Sequence, residues 1–306
     1  MLSRVLKTCL DIKKNEAVLI VTDYEKIDVA SIIEEACRKL SNEVMTIKMK
    51  PRSRNAEEPP KAVAQAMRSV DVVLAPTSKS LTHTDARKKA CEAGARVATM
   101  PGITMDMLTK GAMLADYTEV RVLSEKFAKL LTEAKEIKIE NLGYTFYASV
   151  EGRKGIADSG IITKKGAFGN LPAGEAFIAP VEGKSYGKLA IDGSFASIGL
   201  LSKPIILTIE EGRVIKKEGD EGKLQIEKYK NGDVVAEIGI GTNPKARVTG
   251  IVLEDEKVHG TVHIALGDNH TFGGETKAEI HIDGVMLKPS LWIDNKKVIE
   301  KGRFVV

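Results

Sequence analysis

Cysteine is scarce in this chain of 306 residues: Cys9, Cys37 and Cys91 are the only three, and none stands in a CxxC pair. The odd count and wide spacing exclude a disulfide framework and a thiolate metal knuckle. All three read as buried helix residues of a protein kept in a reducing compartment. No apolar run approaches the roughly 20 residues needed to span a bilayer, and the N-terminus lacks a signal-peptide pattern. A cytoplasmic protein with no membrane contact is expected. Charge of one sign is also in short supply, since 46 basic against 42 acidic residues leave a net +4. Such a small, dispersed excess excludes a nucleic-acid surface, and the basic run from Arg213 to Lys217 reads as a solvated hairpin. The turn TDYEKID after the first apolar strand has none of the glycines that a dinucleotide pyrophosphate needs for close backbone approach. No cysteine is placed as a nucleophile.

Histidine is sparse as well, five in all, yet four of the five fall between His259 and His281. The segment AEIHIDG alternates with a period of two and reads as a half-buried strand. On such a strand His281 and Asp283 project from one face while Ile280 and Ile282 point the other way. An imidazole beside a carboxylate offers two donors to a divalent metal, and His263 on a neighbouring strand can add a third. Two acids stand in apolar company, Glu175 in GNLPAGEAFIAP and Glu237 in VVAEIGIGTNP. Buried carboxylates are costly unless paired or bound to metal, so these two either answer basic residues or complete the metal set.

Two domains are expected at this length. Residues 1–135 alternate helical patterns with the strands AVLIVTD (17–23), EVMTIKM (43–49), VDVVLAP (70–76) and RVATMP (96–101). They read as a small doubly wound parallel α/β domain whose strands are buried on both faces, with a helix from Asp28 to Leu40 capped by Asp28. Thr77, Ser78, Ser80, Thr82 and His83 could meet a ligand at the sheet edge, or could serve loops and caps. Residues 136–306 read as a mainly antiparallel β domain carrying the metal site. Its elements include a strand at LQIEKY, hairpins at EEGR and KNGD, a helix from about Ala246 to Val258 and a C-terminal hairpin bearing Trp292 as a core or interface residue.

The run from NLPAGEAFIAP through AEIGIGTNP to HIALG and HIDG resembles the aminopeptidase T family of thermophilic metallopeptidases, cytoplasmic dimers that hold two divalent metals. The resemblance implies metal ligation by Glu175, Glu237, His263, His281 and Asp283. The chain departs from that family at Gly174, where a second acid is usual, and at His270, where the family has a tyrosine. It implies a zinc-, cobalt- or manganese-dependent aminopeptidase acting on a small peptide or amino-acid-derived substrate, working as a homodimer, with Glu175 and His270 as catalytic candidates. Two alternatives stay open. His263, His281 and one carboxylate also satisfy the two-histidine, one-carboxylate pattern of a non-haem iron dioxygenase, a ring-cleaving example of which the same family contains; a non-catalytic metal-binding homologue would keep the ligands alone.

Overall fold

A computed structural model describes residues 1–219 and 222–306. The chain divides into two compact units, Met1–Arg121 with Gly160–Ala173, and Val122–Ser159 with Gly174–Val306. The fold is mixed α/β, with one parallel sheet and two larger antiparallel ones. No helix among the described residues is long and apolar enough to cross a membrane.

In the first unit five parallel strands run in the order Glu43–Met49, Ala17–Asp23, Val72–Ala75, Arg96–Thr99, Phe168–Asn170. The middle three are buried along nearly their whole length, as continuous apolar runs require. EVMTIKM is not: it forms an edge of the sheet, its side chains are mostly exposed or half-exposed, and Met45 is 45% accessible. The fifth strand comes from beyond residue 136. The second helix spans Ile27–Arg38 and starts after Lys26, so Asp28 lies in its first turn, where a carboxylate complements the helix dipole, and does not cap it. The hydroxyls at the sheet edge are used internally. Ser78 donates to the buried Asp23 carboxylate from its backbone N at 2.6 Å and its Oγ at 2.7 Å, and Thr82 Oγ1 lies 2.8 Å from Thr99 Oγ1. Thr84 caps the next helix, and His83 before it is exposed. Cys9 and Cys37 are buried in helices; Cys91, also helical, is half-buried.

The second unit packs an eight-stranded and a seven-stranded antiparallel sheet around one apolar core. Ile137, Ile139, Phe146 and Leu189 reach it from the larger sheet; Ile178, Ile238, Ile240, Ile264, Leu266 and Met286 reach it from the smaller. Glu211 and Gly212, both at positive φ, close the EEGR hairpin between Ile205–Glu210 and Arg213–Glu218. Three expected elements differ. LQIEKY forms only a short 3₁₀ turn, Ile226–Lys228. KNGD is a turn leading into Val235–Gly241, flanked by an isolated bridge and not by two paired strands. The helix at 246–258 shrinks to Val252–Asp255, because Asp255 turns its carboxylate back to accept from the backbone of Thr249 and Gly250. Trp292 is half-buried, with the ammonium groups of Lys138 and Lys297 over its ring at 4.4 and 5.1 Å.

Candidate metal centre

Alternation in four neighbouring strands of the smaller sheet builds the site. In Val262–Gly267 the residues Val262, Ile264 and Leu266 enter the core, so His263 and Ala265 point from the opposite face. Pairing decides their neighbours: His263 stands opposite Gly239 and Val285, Ala265 opposite Glu237 and Asp283, and Gly267 opposite His281. Gly241 stands opposite Glu175 on the next strand. Glu175, Glu237, His263, His281 and Asp283 thus share one face of the sheet, around a floor of Gly239, Gly241 and Ala265.

Two local devices make that face possible. Val235 and Glu237 are two residues apart and would face the same way in a regular strand, yet Val235 lies in the core. A bulge between them pairs Val235 with Leu266 and Glu237 with Ala265, which turns the carboxylate over to the site. At Gly239 a Cβ would stand 2.0 Å from His263 Nε2, so the imidazole occupies the space a side chain would need.

His263 is sealed from solvent; its Nε2 lies 3.2 Å from Glu237 Oε1 and 3.2 Å from Glu175 Oε2. Only the approach to Glu237 has hydrogen-bond geometry, and Glu175 Oε2 and His263 Nδ1 are buried without a hydrogen bond. His281 Nε2 lies 3.5 Å from Glu237 Oε2 and 3.5 Å from Asp283 Oδ1, while its Nδ1 is 2.7 Å from the Asp268 carbonyl oxygen. A carbonyl only accepts, so Nδ1 carries the hydrogen, and in the neutral ring the Nε2 lone pair faces the two carboxylates. Glu237 joins the two imidazoles, one through each oxygen. The His281 side chain is 33% accessible, which makes it the open side of the cluster.

Two neighbours went unnoticed in the sequence, Glu256 and Lys257, inside the charge run EDEK. Lys257 Nζ lies 2.6 Å from Glu175 Oε1, 2.6 Å from Glu256 Oε1 and 3.8 Å from Asp158 Oδ2. These contacts set the electrostatics. Burial would raise the Glu175 carboxyl, but Lys257 and then His263 bring it down to about 2. Burial pushes Glu256 up to about 8 against the pull of Lys257, with Asp283 and Glu175 adding to the rise. Burial also raises Glu237. It would depress both imidazoles, yet the carboxylates hold His263 well above its ordinary value and His281 at about 10. The enclosed face carries more acid than Lys257 alone balances, and that excess of negative charge favours the charged form of both imidazoles or a bound cation.

This arrangement fits a divalent cation. Donors bound to one ion at about 2.1 Å lie about 3.0 to 3.4 Å apart in octahedral or tetrahedral order, close to the separations found here. The donor groups Glu237–His281–Asp283, Glu175–Glu237–His263 and Glu256–His263–Asp283 each fall within 4.8 Å and overlap through shared residues. His270 belongs to none of them: it is exposed on the following loop, its Nδ1 2.7 Å from Asp268 Oδ2. Beside the cluster Phe272 stands edge-on to both His281 and Phe177, at 5.7 and 5.5 Å between ring centroids. The chain also contains a Gly-x-Ser-x-Gly string, GKSYG at 183–187. Its serine opens the strand Ser185–Ile191 of the larger sheet and is not at a strand-to-helix elbow.

A family model described as 2,5-dihydroxypyridine 5,6-dioxygenase matches residues 1–306. The 2,5-dihydroxypyridine 5,6-dioxygenase of Pseudomonas putida is 24% identical over 274 residues, covering 80% of this chain and 73% of the relative. The solved structure of 2,5-dihydroxypyridine dioxygenase from Pseudomonas putida KT2440 superposes with a TM-score of 0.81 at 19% identity, covering 100% of this chain and 96% of that one. AmpT from Thermus thermophilus gives a TM-score of 0.71 at 16% identity, covering 100% and 98%. At those identities the two structures speak for the fold alone. The expectation of an aminopeptidase, with its hydrolase chemistry and peptide substrate, is overturned by the full-length family match and by the curated relative, both of which carry a dioxygenase description.

Proposed function

The chain belongs to the 2,5-dihydroxypyridine 5,6-dioxygenase family, and on that premise we propose that it opens the ring of a small dihydroxylated aromatic with dioxygen, using one ferrous ion. The observation that carries the reading is the family match over residues 1–306; the donor cluster supports it. His263, His281 and Asp283 would hold the ion as two histidines and one carboxylate. Bound there, ferrous iron supplies the one-electron chemistry by which dioxygen reacts with a closed-shell aromatic.

The protein's own groups prepare that site. The Asp268 carbonyl fixes the His281 tautomer and ring plane. Glu237 touches both imidazoles and sets the angle between them. Glu256, its Oε1 2.6 Å from Lys257 Nζ, stands beside Asp283 and His263 and carries the charge of Lys257 up to the donor set. Phe272, perpendicular to the His281 ring and itself packed on Phe177, offers an apolar border beside His281 suited to a planar substrate.

The test is direct. Apoprotein reconstituted with ferrous iron without oxygen is mixed with aerated buffer and 2,5-dihydroxypyridine. One dioxygen should disappear per aromatic lost, with the ring absorbance, and neither zinc nor cobalt should substitute. Absence of oxygen uptake with iron across a panel of dihydroxypyridines and dihydroxybenzenes would sink the proposal.

A further inference from the structure

Lys257 is 1% accessible and its ammonium sits 2.6 Å from both Glu175 and Glu256. It is held there by backbone as well as by charge. Asn243 N donates to the Lys257 carbonyl at 2.8 Å, and Lys257 N donates to the Glu254 carbonyl at 3.0 Å. Gly241, opposite Glu175 in the sheet, lets this segment press close, because a Cβ there would meet Val258 O at 2.1 Å and the Lys257 carbonyl carbon at 2.8 Å. Glycine and turn thus deliver a compact monocation between two carboxylates of the site, with a third, Asp158, at 3.8 Å.

We propose that Lys257 is a built-in cation that takes the place of a second divalent ion and confines the centre to one metal per chain. The inference rests on the metal reading above and adds to it the residue that sets the metal count. Two carboxylate oxygens, each 2.6 Å from one point, with a third carboxylate oxygen 3.8 Å away, are what a second ion would need for binding beside the first. The ammonium supplies positive charge at that point without ligand exchange, Lewis acidity or an open coordination position. A paired-ion site clamps an attacking and a leaving oxygen; with Lys257 in place, only the group containing His281 and Asp283 is left to take an exchangeable ion. Lys257 is a positioning residue in this account, since it acts through Glu175 and Glu256.

The experiment counts metal. Wild type, Lys257→Met and Lys257→Arg are saturated with cobalt(II), passed through a desalting column and analysed for metal per chain, with isothermal titration on the same samples. Wild type and Lys257→Arg should hold one ion, and Lys257→Met two. Removing His281 as well, in the Lys257→Met, His281→Ala double variant, should leave one ion. Two ions on the wild-type chain would overturn the inference and leave the dioxygenase reading standing, and this result does not depend on any variant folding. A folded Lys257→Met that holds a single ion at saturating cobalt would overturn it equally. No ion on the wild type would overturn both readings together.

Discussion

Replacing Gly239 with alanine adds one methyl group where His263 already lies. Gly239 is in a regular strand, outside the positive-φ positions, so the backbone accepts alanine without strain. Glycine weakens a strand interior by roughly 0.5–1 kcal/mol relative to alanine, and on backbone grounds alone Gly239→Ala would stabilise the protein by about that amount. Sterics act the other way. The new Cβ would stand 2.0 Å from His263 Nε2, 2.2 Å from Cε1 and 2.8 Å from Cδ2, all far inside contact distance. The ring is fully buried, so it cannot swing into solvent, and overpacking of this kind costs about 1–3 kcal/mol. We expect a net loss of roughly 0–2.5 kcal/mol in urea unfolding, the difference of the two effects. Because Nε2 would be displaced from Glu237 and from the other donors, ferrous or cobalt(II) affinity should fall by about 10–100-fold, the range seen when ligand orientation is disturbed, or about 1.4–2.7 kcal/mol of binding. Ile240→Val, one residue on and facing the core, is the control: a loss of about 0.5–1.5 kcal/mol in stability with metal affinity unchanged. Gly239→Ala that binds metal as tightly as wild type would refute the placement of His263 in the metal set.

Chelation of the metal-loaded protein should lower its melting temperature, because an ion at 100 times its Kd stabilises the native state by about 2.7 kcal/mol; equal melts with and without chelator would argue against a resident ion. His281→Ala and Asp283→Ala should each lose metal while keeping the circular dichroism of wild type, since both side chains point away from the core, and full occupancy in either variant would remove that residue from the ligand set. His270→Ala should leave kcat within about twofold, a change of less than roughly 0.5 kcal/mol, because its imidazole is exposed and engaged with Asp268; a hundredfold drop would restore it as a catalytic candidate. Light scattering after size exclusion should give a dimer mass, the oligomer that covers sheet edges with least change elsewhere, and a clean monomer mass would end that expectation.

Where period and burial agree, the sequence is readable. AVLIVTD and VDVVLAP announce buried parallel strands because every position faces packing, and HIDG announces a strand with one polar face because Ile282 and its neighbours alternate with His281 and Asp283. The same signal misleads at EVMTIKM, since an apolar run does not say whether a second strand lies beyond it, and among the described residues none does. Periodicity also hides the bulge at Ala236. Read with a strict period of two, Val235 and Glu237 share a face, and only the pairing register shows that they do not. Gly239 and Gly241 are visible in EIGIG, but what each makes room for, an imidazole in one case and the Lys257–Val258 backbone in the other, depends on residues about 20 positions away.

The reaction class is less legible in the sequence than the fold, for a reason that Lys257 makes plain. From the sequence, Glu175 and Glu237 look like surplus acids once two histidines and Asp283 have taken one ion, and surplus buried acid argues for a second metal and for hydrolysis. That argument assumes no other cation reaches them. In the fold Glu175 is answered by Lys257 at 2.6 Å, and Glu237 is shared between His263 and His281. Neither acid is left over. The lysine that balances the charge is 82 residues from Glu175 along the chain and sits in a charged run that reads as a helix surface. Its neighbour Asp255 breaks that helix and turns the segment inward. Glu175, Glu237, His263, His281 and Asp283 therefore mark one polar face of the sheet, and in the reading proposed above it is Lys257, charged but not a ligand, that leaves room for one-ion chemistry on a fold shared with AmpT from Thermus thermophilus.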